Sequence, residues 1–461
     1  MKINSMYKVK LKSKSHVYDK TVALYRDAVN FFIYVALENW NKLKSMDGIN
    51  PKLRAMEILT HTTSRNKPTY PFDSKFYKFP SYLRRSAISM ALGKVSSYKS
   101  NYADWEIAGK LKNPPGVPSA GRVFPCLFRE NMYNRISDYK AQIKVFIRNT
   151  WDWITVSFRK SDVDYIIHHC KSLKECAPMF VKRHNTWYLD FCFEQNVVLC
   201  DTDISNRRIL AVDLGINNAC VCSVMNQDGT VLGRKFLKLS RENDCLNHKL
   251  SHLKGCQRHG SRKLNRQWRR ICCINNGIAA KTSQFIADIA ALYSVDTIVF
   301  EYLDTSGKKK GSKKQRLALW NKCAVQEMTT HKAHAMNMHI SHINARYTSR
   351  LAFDGSGEVK RGNQSRVTGN NYSLCEFASG KVYHCDLNAS YNIGSRYLIR
   401  ELLKTLPAKV RRVVQAKVPE SSRRSASTLS TLKSLLSVLT SPALLGNPSL
   451  AVSGVSEIPT A

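Results

Sequence analysis

Acidic residues are scarce in this chain: 34 Asp and Glu stand against 72 Lys and Arg in 461 residues, a formal net charge of +38. Self-repulsion of that size is hard to tolerate without a polyanionic partner, and nucleic acid is the natural one. Long apolar runs are missing too. No stretch of about 18 apolar residues occurs, and Met1-Lys-Ile-Asn-Ser-Met6 lacks the apolar core of a signal peptide. The expected compartment is therefore the cytoplasm. The 14 cysteines follow no disulfide-like spacing, so reduced thiols packed as small hydrophobes are expected. What remains is a globular composition, 43% hydrophobic, in a length that suits two or three domains.

Three short segments each set an acid at the edge of an apolar run. They are Arg208-Ile-Leu-Ala-Val-Asp213-Leu-Gly215, Thr297-Ile-Val-Phe-Glu301-Tyr302 and Cys385-Asp386-Leu-Asn388-Ala-Ser-Tyr-Asn392-Ile-Gly394. An ionised carboxylate closing a buried strand is expensive unless a cation offsets its desolvation. Three such groups converging would offer oxygen ligands to Mg²⁺, and carboxylate-held metal pairs serve in-line cleavage of phosphodiesters. Singly, each acid has a plainer reading. Asp213 or Glu301 alone suits a strand-end salt bridge. Asp386, just before a helical pattern from Leu387 to about Leu403, suits an N-cap. The set and its neighbours favour the metal site: Gly215 permits close backbone approach two residues after Asp213, and Asn217 and Asn218 follow at once.

Elsewhere the pattern is coarser. Met6 to Leu11 alternates apolar and polar and predicts a first strand; Val22, Tyr25, Val29, Phe32, Val35 and Ala36 predict one helix face. Residues 50–150 mix helical stretches with aromatics and cations, Arg84 and Arg85 among them, broken at Lys112-Asn-Pro-Pro-Gly116. Interleaved aromatics and cations suit base stacking and phosphate contact, although most of the aromatics are expected to pack the helices together. Between Trp151 and Val198 the period turns to two, giving strands at Trp153–Phe158, Met179–Arg183 and Trp187–Phe193. Later come strand Ile209–Asp213, a hairpin across Asn226-Gln-Asp-Gly229 and a helix through Ile278, Phe285, Ile289 and Leu292 that leads into strand Asp296–Glu301. Residues 241–270 are strongly basic, with Arg262, Arg266, Arg269 and Arg270 as candidate nucleic-acid contacts. Lys308, Lys309 and Lys310, in the basic run after Glu301, form a candidate DNA-guiding loop.

The ordered set Asp213-Leu-Gly-Ile-Asn-Asn218, Phe300-Glu301-Tyr-Leu303, Tyr347-Thr-Ser349 and Asp386-Leu-Asn-Ala-Ser-Tyr-Asn-Ile393 resembles the split RuvC nuclease of the TnpB family. That family comprises transposon-encoded RNA-guided DNA endonucleases and the related compact type V CRISPR effectors. The resemblance is plain over residues 205–400 and weaker over the N-terminal half. It implies an α+β multidomain protein in which a wedge-like β-barrel is interrupted by a helical recognition lobe and followed by a nuclease of ribonuclease-H-like fold. The boundaries are 1–15 for the first barrel strand, 16–150 for the lobe and 151–204 for the remaining barrel. The nuclease takes 205–345 and 385–404, with an insertion at 346–384; the tail at 405–461 resembles nothing in the family's catalytic core, and its basic, then Ser/Thr-rich composition predicts disorder. The resemblance further implies Asp213, Glu301 and Asp386 as catalytic ligands of two Mg²⁺ ions, a guide RNA and target double-stranded DNA as partners, no membrane, and a prokaryotic source. A compact type V effector with an array-derived guide shares this chemistry. A nuclease-inactive repressor would not need the three acids, and a guide-independent resolvase would not need a basic N-terminal lobe.

Relatives commonly insert a four-cysteine zinc ribbon between the Tyr-Thr-Ser segment and the last acid. Here Thr348 to Gly357 offers no cysteine, and only Cys375 and Cys385, with His384 adjacent, remain downstream. A metal-free remnant without zinc is expected. In the tail, Leu429, Leu432, Leu435, Leu436 and Leu439 suit one short amphipathic helix.

Overall fold

Alternating burial shapes the first strand. In β1 (Lys2–Lys10), Ile3 and Val9 point inward while Lys2, Asn4, Met6 and Lys8 face solvent. This is a computed structural model, and it describes residues 1–13, 15–110, 113–128, 130–303, 320–365, 367–369 and 371–441. The chain divides into two compact units, residues 2–196 and, together with Met1, the chain from Val197 onward. Among the described residues, no helix is long and apolar enough to cross a membrane.

In the first unit, helix α1 (His16–Glu38) starts at N-cap Ser15, whose hydroxyl accepts from the Val17 amide at 3.3 Å. Short helices α2 (Trp40–Lys44), α3 (Ile49–Thr60) and α4 (Phe72–Lys75) lead into α5 (Ser81–Ile107), which packs along α1. The aromatics of this stretch mostly do pack. Phe72 stacks on Phe32 at 4.7 Å and on Phe76 at 4.6 Å between ring centroids. Then come β2 (Tyr133–Ser137), β3 (Lys140–Ile147), β4 (Thr150–Ser157), α6 (Lys160–Cys170), β5 (Lys174–Glu175), β6 (Met179–Arg183) and β7 (Thr186–Asn196). Strand β1 pairs antiparallel with β7 from Lys2↔Asn196 to Lys10↔Tyr188, and β5 and β6 pair with β7 as well.

Two expectations are corrected here. The lobe drawn as helical over 16–150 ends its helices at Ile107, and β2, β3 and β4 form an antiparallel three-stranded sheet. Its local signal is the alternation of Ala141, Ile143 and Val145, all buried. The second correction concerns the barrel. Among the described residues the strands form one four-stranded and one three-stranded sheet rather than a closed barrel. They meet at the isolated bridge Leu11↔Phe158, just past the ends of β1 and β4, and no continuous ladder joins those two strands.

The second unit is built on one five-stranded sheet. Its strands are β8 (Ile209–Asp213), β9 (Cys220–Met225), β10 (Val231–Leu237), β11 (Thr297–Tyr302) and β12 (His339–Asn344), in the order β10-β9-β8-β11-β12. The first three are antiparallel, whereas β11 runs parallel to both β8 and β12. The Asn226–Gly229 turn closes the β9–β10 hairpin, with Gly229 at φ +83°. Between β10 and β11 lie helices α7 (Ser240–Arg258) and α8 (Asn265–Leu292); α9 (Lys322–Ala335) precedes β12. A small hairpin, β13 (Leu374–Glu376) with β14 (Val382–His384), leads into α10 (Cys385–Thr405).

The disordered tail expected from 405 is also corrected. The chain continues as α11 (Ala408–Lys417) and α12 (Leu429–Leu439), and Val410, Val414, Leu429, Leu432 and Leu435 are buried in one cluster with α10. Leucines spaced three and four apart gave the helix; the apolar face of α10 gave it somewhere to bury them. Residues 442–461 lie outside the described residues.

Candidate active site

The sheet brings the first two acids side by side. The β8–β11 ladder pairs Phe300 with Val212, so Glu301 and Asp213, one step on, lie abreast. Abreast residues on parallel strands face the same side, with their backbones about 4.8 Å apart. The period of two identifies that side. Leu210, Val212, Ile298 and Phe300 belong to one core cluster, whereas Ile209, Ala211 and Val299 belong to the cluster shared with α10. Asp213 and Glu301 therefore face α10.

Helix α10 brings the third acid. Ser390 Oγ lies 2.5 Å from Ser223 Oγ on β9, Gly394 lies over Ile209 and Ala211 of β8, and Tyr397 Oη donates to Thr297 Oγ1 at 3.3 Å. The helix thus runs back along the sheet and leaves its first turn, with Asp386, at the edge where β8 and β11 end. The N-cap position belongs to His384, which makes no side-chain cap bond, so Asp386 is a first-turn residue rather than the cap. A carboxylate there is favoured by the helix dipole.

Neighbouring groups orient the carboxylates. Asn218 Nδ2 donates to Asp386 Oδ2 at 2.7 Å, and the Thr348 hydroxyl donates to Glu301. Gly215 is needed for the loop that carries Asn218: a Cβ there would meet the Asn218 carbonyl oxygen at 2.7 Å. Gln326 Nε2 donates to the Glu301 carbonyl at 3.0 Å and Lys322 Nζ to the Leu303 carbonyl at 2.6 Å, so α9 holds the end of β11.

The electrostatics are those of crowded acids. Burial pushes the Asp213 carboxyl well above the usual carboxylate range; the Glu301 and Asp386 charges push it further, and Arg361 opposes them. Burial also raises Glu301, against the Thr348 hydrogen bond and the Arg396 charge. Asp213 thus lies in the field of both other acids. Among the described residues, however, no three His, Cys, Asp or Glu side chains close on a single point as a finished ion cage. The donor set itself, carboxylate oxygens whose burial disfavours ionisation, is the chemistry a hard divalent cation fits.

The basic candidates divide. Arg262, Arg266, Arg269 and Arg270 are exposed on and just before α8, and no acidic partner is found for them among the described residues. Arg85 is exposed and pairs with Glu57 at 2.8 Å. Arg84 is a correction: it is 7% exposed and donates to His61 Nδ1 at 2.8 Å, with Asp73 at 3.5 Å. It shares the inner face of α5 with Ile88 and Ala91, a spacing that was the available signal. Lys308, Lys309 and Lys310 lie outside the described residues. Sequence reasoning missed Arg361 and Arg396. Nothing local marks Arg361, but Arg396 stands out as a lone cation in the apolar run Ile393–Ile399.

Comparison with known proteins places the first unit most clearly. The Aq_aa04 family model matches residues 5–147, a stretch that ends before any of the three acids. The uncharacterized protein aq_aa04 of Aquifex aeolicus (strain VF5) is 31% identical over 131 residues, covering 25% of this chain and 74% of its own length. Among solved structures, similarity is found to the Cas12f1–sgRNA–target DNA complex, at 14% identity and TM-score 0.33, over 85% of this chain and 98% of that one. Similarity is also found to C2c1 of Alicyclobacillus acidoterrestris in complex with single-guide RNA, at 10% identity and TM-score 0.41, over 83% of this chain and 66% of that one. CasPhi-2 (Cas12j) bound to crRNA is similar at 9% identity and TM-score 0.39, over 86% and 98%. Scores this low leave the site's own geometry as the ground for a functional reading. The chain belongs to the Aq_aa04 family.

Proposed function

We propose that this protein is an RNA-guided DNA endonuclease of RuvC type. The observation that carries the reading is the position of Asp213, abreast of Glu301 on parallel strands and in the field of both Glu301 and Asp386. Acids gathered at one sheet edge against their mutual repulsion have little structural value, since a strand-end salt bridge needs only one acid and one cation. The residues that would hold Mg²⁺ are Asp213, Glu301 and Asp386. When bound, two such ions supply an activated water and a stabilised leaving 3′ oxygen. Thr348 and Asn218 orient two of the carboxylates, and Arg361 tempers their repulsion.

Nucleic-acid binding is supported by the net charge and by α7 and α8, where no Asp or Glu occurs between Asp244 and Asp288. Guidance by RNA is supported by the ordered resemblance to the TnpB family and the compact type V effectors. In such enzymes base pairing reads sequence while the protein holds backbones. Cleavage and binding assays on Asp213→Ala, Glu301→Ala and Asp386→Ala test the site. Each should abolish cleavage and retain target binding; cutting by any well-folded single variant removes that residue from the site. Sequencing the RNA that co-purifies tests guidance and reads its origin, transposon or CRISPR array. Absence of a defined RNA would favour a guide-independent nuclease.

A further inference from the structure

The C-terminal segment is built into the unit that carries the acids. Thr428 and Thr431 form a capping box at the start of α12, and Leu432 and Leu435 are fully buried. Two turns are shaped to admit it. A Cβ on Gly229 would come within 2.7 Å of Leu429 Cδ1, and one on Gly355, at φ +81°, within 2.9 Å of Ser430 Oγ. The Ser430 amide donates to the Phe353 carbonyl at 2.9 Å.

Arg396 links this segment to the candidate site. It is 5% exposed, and its guanidinium donates to four backbone carbonyls. Two belong to the C-terminal segment: Ser427, 3.1 Å from Nε, and Ser425, 2.8 Å from Nη2. Two belong to the loop after β12: Asn344 and Arg346, each 2.8 Å from Nη1. That loop carries Thr348, whose hydroxyl bonds Glu301 and whose carbonyl accepts from Asn392 Nδ2 at 2.9 Å. A buried guanidinium is costly unless its donors are satisfied. Here the carbonyls that satisfy it come from two segments, the C-terminal one and the loop after β12.

We propose that residues 418–441 are a working part of the nuclease unit and that Arg396 is a positioning residue, clamping Ser425–Ser427 to the Asn344–Thr348 loop so that Thr348 stays on Glu301. The activity consequence rests on the nuclease reading above; the clamp itself does not.

The test uses the full chain, truncations after Ser441 and after Ser422, and the variants Arg396→Met and Arg396→Lys, all with their co-purified nucleic acid. Amide hydrogen exchange is followed across 344–351 and across 2–196, alongside single-turnover DNA cleavage, its Mg²⁺ dependence and target binding. Truncation after Ser441 is the matched control. Truncation after Ser422 and Arg396→Met should speed exchange at 344–351 at least tenfold and leave 2–196 unchanged. They should also slow cleavage at least tenfold, raise the Mg²⁺ needed for half-maximal rate, and preserve binding. Arg396→Lys, which keeps the charge but loses the fork, should fall between. If the truncation does not fold, the two Arg396 variants decide. Full-chain protection at 344–351 in a folded Ser422 truncation or in Arg396→Met would overturn the clamp. If even the full chain fails to cut, the nuclease reading falls, while the exchange data still support or refute the clamp.

Discussion

Helix α10 can approach the sheet closely because residue 394 has no side chain. A Cβ built there would lie 2.4 Å from Met225 Sδ, 3.2 Å from Ala211 Cβ and 3.3 Å from Ile209 Cδ1, all fully buried. Gly394→Ala should therefore cost about 2–3 kcal/mol of overpacking, reduced by about 1 kcal/mol of helix propensity. The net loss of about 1–2 kcal/mol corresponds to a Tm lower by about 2–8 °C for a unit of this size. Gly277, exposed on α8, is the control: nothing lies within 4 Å of a Cβ there. The same change at Gly277 should raise stability, by up to about 1 kcal/mol. Removing the closest neighbour should relieve the clash, so Gly394→Ala combined with Met225→Ala should lose less than the sum of the single losses. Calorimetric or fluorescence-detected unfolding reads the parent and the four variants, Met225→Ala alone included. Since α10 also positions Asp386, cleavage should fall with Gly394→Ala and not with Gly277→Ala. Equal or higher stability in Gly394→Ala would refute the close approach and, with it, the placement of Asp386 at the sheet edge.

Three further outcomes are expected. Asp213 has a raised folded pKa, so its stabilising contribution is fully present below about pH 4, the unfolded carboxylate range, and is lost as pH rises through the folded value. In chelator, Asp213→Asn should thus match the parent at acid pH and be more stable near neutrality, and a pH-independent difference in Tm would contradict this. RNA affinity should fall steeply with salt, at a log–log slope of roughly −0.7 per single-strand phosphate contact. Replacing Arg262, Arg266, Arg269 and Arg270 together by Gln should flatten that slope by up to about 3; an unchanged slope would place the RNA elsewhere. Elemental analysis should show well under one Zn per chain, and Cys375→Ser, which keeps a donor for the Tyr383 carbonyl at 3.4 Å, should leave the fold intact. One zinc lost on that substitution would reverse the expectation of a metal-free insertion.

The signals legible along the chain are local. Alternation marked β1 and β7, Asn226–Gly229 marked a hairpin, leucine spacing marked α12, and the ends of apolar runs marked the three acids. Each of these signals lies within one element, where backbone period and turn chemistry decide. Packing between elements far apart along the chain settled the rest. It put Asp213 and Glu301 on the α10 face, turned Arg84 inward, left two open sheets where a barrel was expected, and made a buried clamp of Arg396. The 405–441 stretch shows the reason most clearly. Its leucines could predict a helix, but whether that helix is ordered depends on an apolar face waiting on α10 and on two glycine turns that leave room for it. Burial against a preformed partner is what offsets the entropy of ordering a chain end, and no pattern inside the segment can announce that partner.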